Sequence, residues 1–210
     1  GVMAEVFNHP SNIASNMYAH AEGRKTEASG SASHAEGWDT TASGFSSHAE
    51  GRSTTASGDY SHAEGDSTTA SGYKSHAEGA GTEASGDYSH AEGLYTIASG
   101  DYSHAEGFYT IASGRHSHAE GCYTIASGLY SHVQGRYNIE DTADKYAHIV
   151  GNGVLTNDRS NAHTLDWDGN AWYAGTVEGT AMILKSSTPN STKRFKITVD
   201  DNGTLTVTEI

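Results

Sequence analysis

The sequence predicts an all-β fold, a parallel β-roll or solenoid wound in coils of 14 residues. Three observations carry that prediction. Gly recurs every seven residues from Gly23 to Gly135, at 17 positions, with Ala two residues earlier from Ala21 to Ala126 and Val133 closing the row. The stretch Ser-x-Ala-x-Gly alternates with period two, as a strand does. Two half-repeats, Ser-His-Ala-Glu-Gly-x-x and Thr-x-Ala-Ser-Gly-x-x, alternate without exchange. Ser stands at 33, 47, 61, 75, 89, 103, 117 and 131, and Thr at 26, 40, 54, 68, 82, 96, 110 and 124, so the true period is fourteen.

Other periodic folds fail on composition. A coiled coil needs two apolar positions per heptad, and here each seven offers one Ala and one Gly. Collagen needs Gly at every third residue. Each half-repeat instead supplies a short strand, and Gly-x-x supplies a tight corner where a positive φ is expected. Coils then stack about 4.8 Å apart. Only small side chains fit between two strands of one flat coil, so Ser or Thr and Ala are placed inside, with His and Glu outside. The N-terminal match loosens: Asn12 replaces Thr, Ala19 replaces Ser, and Asn16 replaces Gly, where Asn tolerates a left-handed backbone. The segments are a lead-in at 1–11, the repeats at 12–137, and a β-rich cap and trimerising module at 138–210.

Composition excludes several function classes. Net charge is -14 with His neutral, and no basic stripe exists to neutralise phosphates, so nucleic acid is not an expected partner. No apolar run approaches a membrane span of about 18 residues. One cysteine, Cys122, excludes an internal disulfide framework and a Cys-rich zinc site; it sits at a corner and reads as a passive substitution.

The repeat Ser-x-Ala-x-Gly-x-x-Thr-x-Ala-x-Gly resembles the head repeat of trimeric autotransporter adhesins of the YadA type. The wording "SHAEGxxTxASG" is similar to the version in tail-fibre proteins of phages and prophages, as are "KYAHIVGNG" and "SNAHTLDWDGNAWYAG". The resemblance implies a left-handed roll assembled as a homotrimer and displayed on a virion, or alternatively on a cell surface. It departs from the adhesin heads at the two outward positions, where they usually carry Val and Ile and this chain carries His and Glu.

Those outward residues form a ladder: His20, Glu22, His34, Glu36, His48, Glu50, His62, Glu64, His76, Glu78, His90, Glu92, His104, Glu106, His118, Glu120 and His132. Stacked carboxylates repel, so an unbroken row points to His of one chain pairing with Glu of a neighbour. Residues 12–137 hold 15 acidic, six basic and ten His residues; His held protonated beside Glu predicts tolerance of mild acid. Three His around an axis would be a sharper, metal-binding reading, but nothing in the pattern demands it, and no metal or cofactor is assigned. Nearly identical copies offer no distinct pocket, so no catalytic residues are assigned.

Corner residues vary most. Trp38, Phe45 and Tyr73, with Trp167, Trp172 and Tyr173 further on, are the receptor-binding candidates; packing at solenoid edges or in the C-terminal core is the competing reading. After Tyr137 the period stops. Ala143 to Val150 reads as a last coil or cap, with His148 out of register. Asp168-Gly169 and Asp201-Asn202-Gly203 read as hairpin turns. Asp166, Asp168 and Glu178 imitate a glycosidase carboxylate set, though acidic turn residues are common. The expected role is a non-enzymatic tail-fibre or spike segment, a spacer and host-receptor binder, joined to other tail proteins on its N-terminal side. The alternatives are a bacterial adhesin head and a tailspike that cuts host glycans.

Overall fold

A computed structural model of the chain describes residues 5–7, 10–175, 182–185, 194–199 and 204–209. The regular elements among these are strands. The chain divides into two compact units, the first ending at Ala174.

The first unit is the predicted solenoid. One side carries five-residue strands, from His20–Arg24 to His132–Arg136. The other carries two-residue strands, from Ile13–Ala14 to Ile125–Ala126. Each strand pairs in parallel with its counterpart fourteen residues away: His76 aligns with His90, Ala77 with Ala91 and Glu78 with Glu92. Identical side chains therefore lie over one another along the stack.

The interior is as small as the sequence requires. Every Ala from Ala21 to Ala126 in the seven-residue series is fully buried, and the Ser and Thr rows beside it are at most 2% exposed. Each buried methyl adds on the order of 0.8 kcal/mol, so backbone pairing between coils carries much of the cohesion. The hydroxyls of both rows are unevenly satisfied: those of Ser61, Ser89, Ser103 and Ser117 are buried without a hydrogen-bond partner, and Thr124 donates to Glu120 O. Ser33, Ser47, Ser75 and Ser131 donate to the carbonyl three residues back, at 2.7–2.8 Å. The hydroxyls of Thr26, Thr40, Thr54, Thr68, Thr82, Thr96 and Thr110 are buried without a hydrogen-bond partner.

The corners correct the expectation about glycine. In Ser-His-Ala-Glu-Gly the glycine does have positive φ, for example +108° at Gly37. In Ala-Ser-Gly it does not. A Cβ on Gly44 would instead collide with the carbonyl oxygen of Gly58 in the next coil. The left-handed residue of these corners is the second one after Gly, and it is not glycine: Ala32, Ser46, Tyr60, Lys74, Tyr88, Tyr102, His116 and Tyr130 all have φ of 50–60°. Each such conformation costs about 1–2 kcal/mol. Stacking compensates, because the amide of the left-handed residue reaches the previous coil: Tyr60 N–H donates to Phe45 O at 2.7 Å, and Tyr88 N–H to Tyr73 O at 2.7 Å. Asn16 is likewise not left-handed; Tyr18 is, and the Asn16 amide donates to Ser29 O.

Both ends of the Thr row are closed by asparagine. Asn12 accepts from Thr26 N–H at 3.2 Å and donates to Gly23 O at 2.9 Å. Asn138 accepts from Ile125 N–H at 2.8 Å and donates to Ile125 O at 2.9 Å. Each carboxamide replaces backbone partners that a further coil would supply. The Ala row also enlarges toward its end, through Val133 to Ile149, both buried. Larger side chains fill the interior where the small-residue rows stop. Asp141 accepts from the amides of Lys145 and Tyr146 at 2.7 Å. Arg159 covers the carbonyls of Tyr123 and Asn138.

The last lap takes sixteen residues, yet His148 still aligns with His132. The extra pair is absorbed before Tyr146, so a residue out of step in the sequence is in step in the stack. The strand Tyr146–Asn152 then pairs antiparallel with Asn161–Asp166, which pairs antiparallel with Ala171–Tyr173. The turn between the latter two contains Asp168 and Gly169, as predicted, with Gly169 at φ +84°.

In the second unit Met182–Lys185, Arg194–Val199 and Leu205–Glu209 form a three-stranded antiparallel sheet. It includes the second predicted hairpin; the turn residues Asp201, Asn202 and Gly203 lie outside the described residues, as does Glu178.

Candidate functional site

The five-residue strands set His and Glu two positions apart on one outward face, and stacking turns this into the ladder. A pairing is already made inside one chain, apart from any that a neighbouring copy would add. Within one chain, from His62 onward, Nε2 of the His meets Oε1 of the Glu twelve residues earlier: His62 with Glu50 and His76 with Glu64 at 3.3 Å, His90 with Glu78 at 3.2 Å, and His104 with Glu92 and His118 with Glu106 at 3.1 Å, whereas His48 lies 3.6 Å from Glu36. His132 meets Glu120 at 3.3 Å. The carboxylate can only accept, so Nε2 carries the proton. A neighbouring coil thus relieves the stacked carboxylates.

The row slips at its start. His20 aligns with Glu5 in the preceding strand, fifteen residues earlier, and its Nε2 lies 3.5 Å from its own strand's Glu22. His20 turns edge-on to His34, whereas His34 and every later member up to His132 stack face to face at 4.7–4.9 Å. Nε2 of His34 is buried without a hydrogen-bond partner.

The local environment disfavours protonation at three of the stacked histidines. Partial burial pushes His34, His90 and His148 below the ordinary imidazole value, and the adjacent His residues add to that shift. Each stacked imidazolium raises the cost of protonating the next. The neutral imidazole is favoured at these three positions. The row also places His, Glu and His within ligand reach: the donor atoms of His34, Glu36 and His48, and of His62, Glu64 and His76, lie within 4.8 Å of one another.

The corner aromatics form two stacks. Tyr88, Tyr102, His116 and Tyr130 are spaced 4.7–4.9 Å apart along one edge. Tyr95, Tyr109, Tyr123 and Tyr137 repeat this at 4.7–4.8 Å along the other. Rings that cover one another's faces offer ligands their rims and hydroxyls. Phe45, Tyr60 and Tyr73 meet edge to face instead. Trp38 and Phe45 are exposed corner residues, and Tyr73 carries the Lys74 ammonium over its ring. Corner aspartates do work that the sequence did not reveal: Asp59 accepts from Phe45 N–H and Asp87 from Tyr73 N–H, each one coil back. Arg52 pairs with Asp66 across adjacent coils.

Trp167, Trp172 and Tyr173 are each more than half exposed, so they are not a core within this chain. Trp172 lines an open cleft of about 590 Å³ with Ile139, Glu140, Tyr146, Asn152 and Thr164. Asp166 belongs to its own turn: hydrogen bonds from the Asn170 side chain and backbone hold its carboxyl below the usual range. It is unsuited to donate a proton. Cys122 is half-buried at its corner.

The family model of the YadA head domain repeat matches residues 63–82, in two copies. No curated protein matches the chain. Among the described residues no helix is long and apolar enough to cross a membrane.

Proposed function

We propose that the chain is a non-enzymatic, homotrimeric fibre or spike segment of a phage tail, acting as spacer and host-receptor binder. The observation that carries the reading is the unbroken register of the coils, which builds a long regular surface, together with adhesin-head repeats in its sequence. The repeat match supports an adhesin-like structural role on an exterior surface and fits self-association. The phage context comes from the wording of the repeats and of the segment after them.

The intrachain pairs use Nε2 and Oε1, so Nδ1 and Oε2 are the atoms a neighbouring copy meets on the His-Glu face. Residues 138–210 serve as the trimerising module. Trp38, Phe45, Tyr73, Trp167, Trp172 and Tyr173 are the receptor-facing candidates, and Trp172 in its cleft is the best placed for a glycan or protein epitope. Sedimentation equilibrium tests the assembly: three chains are expected, and a monomer at micromolar concentration refutes it. A glycan array and whole-cell binding test the receptor role, with binding expected to fall at least tenfold in Trp172→Ala.

A further inference from the structure

We propose that the His-Glu face is a linear array of sites for borderline-soft divalent cations of the Zn²⁺ and Co²⁺ class, each built by one chain from two stacked imidazoles and the carboxylate between them. This goes beyond the structural role above and does not rest on it.

The geometry is close to that of a ligand set. Zn²⁺ holds imidazole nitrogen and carboxylate oxygen at about 2.0–2.2 Å, so two ligands on a tetrahedral ion lie about 3.3 Å apart. The Nε2 to Oε1 distance between successive coils is already 3.1–3.3 Å from His62 to His132. An ion there takes the place of the Nε2 proton, and the imidazole stays neutral by carrying its proton on Nδ1 instead. The second imidazole of each triad lies within 4.8 Å, and its side chain is about one-third exposed, so rotation closes the gap. Water completes the shell. Two imidazoles per carboxylate select Zn²⁺, Co²⁺, Ni²⁺ or Cu²⁺ over Mg²⁺ or Ca²⁺, which demand oxygen ligands. Nε2 of His34 and Nε2 of His48, the two imidazoles of the Glu36 triad, are also buried without a hydrogen-bond partner, so neither gives up a hydrogen bond to receive an ion.

The stacking limits occupancy. Successive triads along the row share one imidazole. A shared Nε2 binds one ion, so only alternate triads fill together. Two imidazoles per ion from the nine histidines of the row, His20 to His132, allow about four ions per chain, roughly 9.6 Å apart at two coil spacings.

The test uses the full chain, purified with 100 µM Co²⁺ present throughout. About four Co²⁺ per chain are expected by elemental analysis, with the intense visible bands of tetrahedral nitrogen-oxygen coordination. Replacing His34, His62, His90 and His118 by Gln leaves no triad with both imidazoles; it should abolish the bands and weaken binding at least tenfold. His116→Gln, at a corner outside the row, should change neither. Fewer than one ion per wild-type chain, or equal uptake by the fourfold variant, overturns the proposal. If that variant loses its β-sheet signal, the wild type decides through diethyl pyrocarbonate labelling. Zn²⁺ should slow modification of the row at least tenfold and leave His116 unaffected; equal rates at both overturn the proposal.

Discussion

Nε2 of His62 lies 3.3 Å from Oε1 of Glu50, a carboxylate twelve residues earlier and one coil away. This contact exists only because the coils stack in register, and it repeats along the row. Its pH response follows from the environment of the ladder. In the folded chain His34, His90 and His148 bind protons less readily than in the unfolded chain, whose imidazoles titrate near 6.5. Above that pH both states are neutral and no stability is lost. As pH falls below it, the unfolded chain takes up protons first, so folding weakens toward the lower folded values. With chelator present, the melting temperature should fall between pH 7.5 and pH 5.5. An unchanged or rising melting temperature would contradict this.

Gly44 tests close approach without backbone strain. A Cβ there collides with the Gly58 carbonyl, and the next coil cannot move without breaking its own pairing. Gly44→Ala should destabilise by about 3 kcal/mol or more in urea unfolding. Gly169→Ala, with nothing within 4 Å of the new methyl, should cost only about 1 kcal/mol through its positive φ.

Thr68 tests the unpaired hydroxyls. Its Oγ1 is buried without a partner, so Thr68→Val removes a desolvated polar atom at nearly constant volume. The variant should be more stable by about 1 kcal/mol. Ser47→Ala removes a hydroxyl bonded to Gly44 O and should lose about 1 kcal/mol under the same denaturant titration.

Asn138 tests the cap. Asn138→Ala strands the Ile125 amide and carbonyl at the end of the short-strand sheet. A loss of about 1–3 kcal/mol is expected. Hydrogen exchange should speed up first around Ile125, while amides near Ala70 keep their protection.

The sequence alone determined the coil length, the all-β class and the buried rows of Ala, Ser and Thr. A strict seven-residue spacing of tiny residues admits one kind of winding, and burial follows from size. It also placed the hairpin turn at Asp168-Gly169 correctly. It did not show who pairs with whom. The His-Glu contacts join residues twelve apart, a spacing with meaning only once coil spacing and side-chain rotamers are set together. It misassigned the corner strain as well: Gly44 looked like a residue needing positive φ, and the strained residue is Ser46, whose backbone N–H donates a hydrogen bond to Ser31 O in the coil before. Asn12 reads as a loosened match to the Thr row, and its carboxamide accepts from the Thr26 amide one coil on, as that of Asn138 accepts from the Ile125 amide one coil back. Local pattern records what one residue needs. Contacts between successive laps depend on three-dimensional register, and only the stacked structure supplies it.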